Sequence, residues 1–185
     1  MLGGHKMAGI TCTIVKQIGK LSVDNGMWAK ELNLVKWNDY DPKYDIRSWY
    51  VGHERCSKGV TLTAMELEKV AYALKRDIDK IDKVYSTKQV GYVNGRVKCF
   101  LCCELENLSP MDNKGWVLEL NILRWGKNDQ CFDIRYWDKD KTRSGKGVTL
   151  SKEEVKNFLV LYKNINPSFS NKKINVKNPG GIFID

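Results

Sequence analysis

The sequence predicts an α+β fold of two tandem modules, each with four antiparallel strands followed by a helix. Three observations support this prediction. Residues 28–74 align with residues 116–162 at a constant offset of 88, without a gap and with 17 of the 47 positions identical, which is an internal repeat. Within the repeat, apolar and polar residues alternate with the period of two that is typical of strands. Both copies then end in an apolar pattern of helical spacing.

Three strands are predicted at the start of each module. The β-branched and apolar residues of 10–21 and 96–108 indicate the first strand, and residues 29–37 and 117–125 indicate the second. In the third strand Tyr44 and Ile46 alternate with Arg47 and Trp49. Period two places Arg47 with Trp49, and likewise Arg135 with Trp137, on the face that points away from the core.

A fourth short strand and a helix complete each module. Residues 58–62 and 146–150 predict the strand. Thr63 with Glu66, and Ser151 with Glu154, have the spacing of a capping box at a helix start. The apolar stripes that follow are Leu67, Val70, Ala71 and Leu74, and Val155, Phe158, Leu159 and Tyr162. Helix one is expected to extend through Ile78 and Ile81.

The repeat also sets the expected domain organisation. We expect a flexible leader (1–9), a first module (10–82), a linker and turn (83–95), a second module (96–163) and a loosely ordered tail (164–185). Residues 181–185 could be a partner-binding tag, but a disordered end is the favoured interpretation. The two modules are expected to form one pseudo-dimeric monomer.

Composition narrows the classes of partner and compartment. The chain has 31 Lys and Arg against 22 Asp and Glu, a net charge of +9, which favours a polyanionic partner. Its six cysteines lie in apolar, strand-like runs and its two histidines lie apart, so we expect reduced thiols, no metal site and no cofactor. No apolar run is long enough to span a bilayer. The expected location is the cytoplasm, associated with the nucleoid, or the host cytoplasm if the protein is viral.

An outward face that carries Arg beside Trp is suited to a flexible single strand of nucleic acid. Guanidinium groups can contact phosphates, and exposed aromatic rings can stack on bases of any identity. Tryptophans are more often core residues, and we expect that role for Trp28 and Trp116. We expect Trp49 and Trp137 on the outer face, with Trp37 and Trp125 intermediate. Asp45 and Asp133 are expected to pair with the neighbouring arginines.

These motifs resemble a known family. The segments Lys-Tyr-Asp-Ile-Arg-Ser-Trp (43–49) and Ser-Lys-Gly-Val-Thr-Leu (57–62), with their copies at 132–137 and 145–150, are similar to the transcriptional coactivator family of positive cofactor four. The likeness is greatest to its small bacterial members, which share the pattern of residues 28–49. It covers most of both repeats but not the leader, linker or tail.

The resemblance implies curved antiparallel sheets joined through their helices, with grooves that hold single-stranded DNA. In the family two chains pair; here one chain supplies both units. The nucleic-acid-binding residues implied or expected are Arg47, Trp49, Arg135, Trp137, Lys58, Lys146, Trp37, Trp125 and Lys43. The copies diverge at several positions: Lys30 and Lys43 become Leu118 and Cys131, and His53 becomes Lys141. Because of these differences, we do not assume that the two halves make equal contacts with DNA.

Other functions remain to be weighed against sequence-independent binding of single-stranded DNA in transcription, replication or repair. An enzyme is disfavoured, because residues 140–147 lack the glycine and the Ser or Thr that a phosphate-binding loop needs, and because Glu31 and Asp45 have no evident histidine partner for a metal. An RNA-binding module uses the same chemistry. A transcription cofactor that recruits transcription or replication proteins without holding nucleic acid is the third alternative.

Overall fold

The computed structural model describes residues 5–7, 10–24, 26–84, 88–91 and 98–170, which form two antiparallel sheets and two helices. The first half of the chain contains β1 (His5–Met7), β2 (Ile10–Asp24), β3 (Trp28–Trp37), β4 (Lys43–Tyr50), β5 (Cys56–Leu62) and α1 (Ala64–Asp77). The second half contains β6 (Lys88–Val90), β7 (Cys99–Asn107), β8 (Trp116–Trp125), β9 (Gln130–Asp138), β10 (Ser144–Leu150) and α2 (Lys152–Ile165). The predicted α+β class and the repeated order of four strands and a helix are confirmed.

Each sheet has one strand more than expected. Its five strands follow one another in chain order, β1 to β5 in the first sheet and β6 to β10 in the second. The additional strands are β1, which pairs with the start of β2, and β6, which pairs with the start of β7. Residues 5–7 and 88–90 therefore do not belong to a wholly flexible leader and linker, because their backbones complete hydrogen bonds at a sheet edge.

Both predicted capping boxes are present. Glu66 N–H donates to the Thr63 hydroxyl, and the Glu66 carboxylate accepts from Thr63 N–H at 2.7 Å; Ser151 and Glu154 make the same exchange, with the second bond at 2.8 Å. Each box satisfies backbone donors that a helix start leaves unpaired. The expected extension of helix one is a separate 3₁₀ helix, Ile78–Asp82.

One hydrophobic core is shared by both halves. Side chains of both sheets and both helices form a single buried cluster that includes Leu32, Ile46, Leu74, Ile134 and Phe158. The two helices contact each other within this arrangement. The protein is thus an internal pseudo-dimer, as expected for a repeat in which each module buries its apolar face against the other.

The helices also hold the first long strand of the opposite half. Asn157 Nδ2 of α2 donates to the Leu21 carbonyl of β2 at 2.9 Å, and Lys69 Nζ of α1 donates to the Leu108 carbonyl at 3.0 Å. Lys69 and Asn157 are equivalent positions of the repeat, 88 residues apart. The two contacts therefore obey the pseudo-twofold relationship even though the side chains differ.

The prediction that residues 164–185 form a loosely ordered tail is wrong for the start of this range. Pro167–Ser170 form a 3₁₀ helix, and the Phe169 ring is buried between Tyr72 and Tyr162, with ring centroids 5.0 and 4.9 Å away. Edge-to-face packing of these three aromatic rings stabilises the segment against the core. Residues 171–185, which contain the expected tail end, lie outside the described residues.

Two remaining expectations concern membranes and thiols. Among the residues that the structure describes, no helix is both long and apolar enough to cross a bilayer. No disulfide joins the six cysteines, all of which lie in the part of the chain that the structure describes.

Candidate nucleic-acid interface

Each sheet has an outer face, which we define as the face opposite the shared core. On this face of β4 lie Asp45, Arg47 and Trp49, while Ile46 between them belongs to the core. Trp49 packs in a separate small cluster with Cys12, Ile14 and Val35. Trp137 does the same in the second half, with Val90, Cys99 and Leu123. The predicted shared face of Arg47 with Trp49, and of Arg135 with Trp137, is confirmed.

The predicted exposure of these two tryptophans is wrong. Trp49 is 1% exposed and Trp137 is 0% exposed. The ring of His53, from the loop between β4 and β5, lies 5.5 Å from the Trp49 ring. Gly91, just after β6, approaches Trp137 so closely that a Cβ there would lie 3.2 Å from the indole. Period two assigned the face correctly, but His53 covers the ring of Trp49 and Gly91 covers that of Trp137.

The two arginines are committed to buried carboxylates. Arg47 Nε and Nη2 donate to the two oxygens of Asp45 at 2.5 and 2.7 Å, and Arg135 makes the same paired contact with Asp133 at 2.5 and 2.6 Å. Both aspartates are 0% exposed. Burial alone would lower the pKa of Arg47, but the hydrogen bonds and charge of Asp45 outweigh it and raise that pKa. The charge of each arginine is therefore largely neutralised by its aspartate, and the main contribution of these arginines to the outer face is structural.

Each arginine also lies against a tryptophan of the neighbouring strand. The Arg47 guanidinium is 4.3 Å from the centroid of Trp37, and that of Arg135 is 4.5 Å from Trp125. This is cation–π geometry. Trp37 and Trp125 are both half-buried, which agrees with their intermediate prediction and leaves part of each ring accessible.

Trp28 and Trp116 are not the core residues that the sequence predicted. Both are half-buried at the start of their strands, and each has an arginine against its ring: Arg55 at 6.0 Å from Trp28, and Arg143 at 5.5 Å from Trp116. Arg55 also lies 4.0 Å over Tyr50. Trp28 and Tyr50 meet edge to face with centroids 5.5 Å apart. An aromatic pair with a cation thus stands at one end of the first sheet.

The predicted lysines are placed at the rim. Lys58 and Lys146 are exposed on the edge strands β5 and β10, and Lys43 is exposed at the start of β4. Next to Lys58, Gly59 faces Arg47 so closely that a Cβ would overlap the arginine side chain. Glycine is required there because the edge strand must pass directly against Arg47.

A buried carboxylate lies on each outer face, opposite the arginine of the neighbouring strand. Glu31 accepts a hydrogen bond from Asn33 Nδ2 at 2.8 Å, and Glu119 accepts one from Asn121 at 2.8 Å. The side chain that approaches each carboxylate comes from the same loop position. His53 Nε2 lies 2.9 Å from Glu31 Oε2, whereas Lys141 Nζ contacts both oxygens of Glu119 at 2.7 and 2.5 Å.

The proximity of His53 to Glu31 corrects the expectation that this carboxylate has no histidine partner. A two-residue contact does not make a metal site by itself. Within the described ranges, no group of three or more His, Cys, Asp or Glu side chains is arranged to hold a metal ion.

A cleft of about 420 Å³ opens on the first half between β2, β3 and the loop after β4. Its lining includes Gln17, Lys20, Trp28, Tyr50 and His53. β2 carries three register shifts against β3, at Ile14/Lys16, Gln17/Gly19 and Lys20/Ser22. The first shift brings Gln17 to the face of the cleft, opposite Asn33, and after the second Lys20 is opposite Glu31 on the same face. Bulges of this kind redirect side chains.

Gln17, Lys20 and His53 are not among the site residues that the sequence predicts. Simple alternation cannot locate a bulged strand, so it gave no face for Gln17 and Lys20. His53 left one signal, its replacement by Lys141 at the same repeat position. Lys43, Lys58 and Lys146 are accessible, whereas Trp49, Trp137 and most of Arg47 and Arg135 are not.

Comparison with known proteins gives a match to a family model and a match to a bacterial protein. Residues 25–72, from the turn before β3 to the last part of α1, match the family model described as Transcriptional Coactivator p15 (PC4). An uncharacterized protein of Treponema pallidum (strain Nichols) is 38% identical over 68 residues, which are 37% of this chain and 79% of that protein. The family match lies in the first half, and the internal repeat extends its pattern to the second.

Proposed function

Because the chain belongs to the transcriptional coactivator p15 (PC4) family, we propose that it binds single-stranded DNA, without strong sequence preference, on the outer faces of its sheets. The observation that carries the proposal is the rim of exposed lysines around half-buried tryptophans, on a face over which the described residues place no helix. Such a surface supplies the two contacts that a single strand needs, cations for phosphates and rings for bases.

Phosphate contacts are assigned to the exposed cations. Lys43 and Lys58 flank the outer face of the first sheet, and Lys20 lines its cleft. Lys146 is the counterpart of Lys58 in the second half. Arg47 and Arg135, which are held by Asp45 and Asp133, orient the tryptophans beside them and add only a partly neutralised charge.

Base stacking is assigned to the accessible rings. Trp37 and Trp125 are each supported on one side by an arginine, so that the remaining surface is held in a fixed orientation. Trp28 and Tyr50 offer a further surface at the end of the first sheet. Trp49 lies 6.3 Å from Trp37 in a stacked arrangement and supports it from within the sheet. Its role is therefore positioning rather than contact.

The test is fluorescence anisotropy of a labelled oligo-thymidine of about 20 nucleotides at several salt concentrations. We expect the wild type to bind and the affinity to fall with salt. The variant Lys43→Ala/Lys58→Ala should bind at least tenfold more weakly at about 0.1 M salt, since each lost phosphate contact removes about 0.7 from the salt slope for a single strand.

Lys156→Ala is the matched control, because Lys156 is exposed on α2, away from the outer faces, and pairs with the exposed Glu153. It should bind as the wild type does. Failure of the folded wild type to bind any single strand would contradict the proposal. Competition between oligo-deoxyuridine and oligo-uridine, which differ only in the sugar, decides between DNA and RNA. Preferential competition by the RNA would replace single-stranded DNA with RNA as the ligand.

A further inference from the structure

We propose that the two halves are functionally unequal: the first half is the principal nucleic-acid site, and the second half has become a closed, supporting copy. This inference rests on the proposed function and specifies which of the two outer faces performs it. It follows from comparing equivalent positions of the repeat in their structural setting.

The charge on the outer face differs between the halves. In β2, Gln17 and Lys20 are opposite Asn33 and Glu31. In β7 the same two positions, opposite Asn121 and Glu119, are Glu104 and Asn107. The first half therefore presents a cation and an amide where the second presents a carboxylate and an amide.

Other replacements change the charge in the same direction. Lys43, exposed at the start of β4, becomes Cys131 in β9, and Tyr50 becomes Asp138. The second half thus lacks a rim cation and one ring of the aromatic pair that stands beside the first cleft. A carboxylate placed near a phosphate chain repels it, and a missing cation releases no counterion on binding.

Lys141 covers part of the outer face of the second half. Its Nζ binds Glu119 at 2.7 and 2.5 Å and lies 3.4 Å from Glu104, so one lysine spans two carboxylates on adjacent strands. The Lys141 side chain is 15% exposed. The charge of Lys141 is neutralised by Glu119 and Glu104, so this lysine is not free to contact a phosphate. In the first half the corresponding His53 lies beside Gln17 and Glu31 at the wall of the cleft.

The backbone after β6 holds the same loop. Gly91 N–H donates to the Lys141 carbonyl at 2.7 Å, and Gly91 lies against Trp137. Val90 is buried in the cluster beneath it. Residues 88–91 are thus fixed across the outer face of the second half, which restricts the approach of a strand to that face.

Matched substitutions test the proposal. Lys58→Ala and Lys146→Ala remove equivalent exposed lysines from the two halves. At about 0.1 M salt we expect Lys58→Ala to weaken binding of oligo-thymidine about fivefold, and Lys146→Ala, which removes a contact of the secondary face, to weaken it only about twofold. Equal losses would overturn the inequality of the halves while leaving the proposed function intact.

Exchange of the strand residues gives a second test. Gln17→Glu/Lys20→Asn places the second half's residues in the first, and Glu104→Gln/Asn107→Lys does the reverse. The first exchange should weaken binding tenfold or more and the second should strengthen it, since the phosphate contacts follow the charge of the face. Lys156→Glu changes the net charge by the same −2 on α2 and should alter affinity less than twofold.

A loss as large in Lys156→Glu as in Gln17→Glu/Lys20→Asn would contradict the assignment, because only the overall field would then matter. Stoichiometric titration with an oligo-thymidine of about 10 nucleotides completes the test. One tight strand per chain is expected, and two equivalent strands per chain would overturn the proposal. Absence of binding by the wild type would instead contradict the proposed function itself.

Discussion

Lys30 Nζ of β3 lies 2.8 Å from Glu154 Oε2 of α2, so an ion pair joins residues 124 positions apart in the two halves of the chain. Lys30 also donates to the Thr149 carbonyl at 2.7 Å, and the other oxygen of Glu154 accepts from Ser22 Oγ at 2.5 Å. At the equivalent position, Glu66 faces a half in which Lys30 is replaced by Leu118. The connection is therefore made once, not twice.

Glu154→Gln should lower the free energy of unfolding by about 1–3 kcal/mol at pH 7, the range for a hydrogen bond to a charged group. Burial disfavours the charged form, but hydrogen bonds from Lys30, Ser22 and the Ser151 backbone outweigh it and hold the pKa of Glu154 below its usual value. A lowered pKa in the folded state stabilises the protein above the unfolded pKa of about 4.3, and that stabilisation is lost as the pH falls through the folded value.

Urea unfolding between pH 7 and pH 3 measures this prediction, with Glu66→Gln as the control for loss of a capping carboxylate alone. The difference between wild type and Glu154→Gln should shrink toward pH 3. A loss in Glu154→Gln no larger than that in Glu66→Gln would show that the contact with Lys30 contributes nothing.

Trp49→Ala should affect folding before it affects binding. The side chain is fully enclosed, and its removal should lower the free energy of unfolding by about 3–5 kcal/mol. Trp28→Ala, at the half-buried end of β3, should cost less than half as much. Denaturant unfolding followed by circular dichroism checks both, and a Trp49→Ala variant as stable as wild type would contradict the observed burial.

Gly59→Ala should lower the free energy of unfolding by about 1–3 kcal/mol, because the new methyl group overlaps Arg47 and must displace strand or side chain. Lys58→Ala, one residue earlier on the same edge strand, should leave stability within about 0.5 kcal/mol and weaken nucleic-acid binding. Thermal unfolding and anisotropy on the two variants separate the effects. Unfolding midpoints that coincide for Gly59→Ala and wild type would mean that β5 can move away from Arg47.

Cys12 and Cys99 should resist alkylation in the folded protein. Burial raises the pKa of each thiol to about 12, so both stay protonated at pH 8, and both side chains are enclosed. Iodoacetamide at pH 8 followed by peptide mass spectrometry should modify them only after unfolding in urea. Modification of either one at the same rate in native and unfolded protein would contradict the prediction.

The fold could be predicted from the sequence because the patterns that indicate it are local and occur in both halves. Alternation in β3 and β4 identifies the core side of each strand, and Thr63 with Glu66 marks the start of a helix by a contact three residues away. These features involve neighbours along the chain, and tertiary packing does not override them. The predicted faces of Arg47 and Trp49 are correct for the same reason.

The accessible site was harder to predict because it depends on what covers each face. His53 lies over Trp49 from the loop that directly follows β4, and Gly91 contacts Trp137 from a distant part of the chain. No period in the sequence encodes either contact. The register shift of β2 between Ile14 and Lys16 likewise moves Gln17 to the outer face without any change in composition. A strand of three residues such as β6 is too short to produce a pattern.

The shared core has one more consequence, which concerns dilution. Two separate chains that bury a common core dissociate when their concentration falls below the dissociation constant of the pair. Here the partner surface is attached through residues 83–98, and its local concentration is set by the tether and not by the amount of protein present. The assembled arrangement of two sheets and two helices should therefore persist at picomolar concentration, where each molecule acts alone.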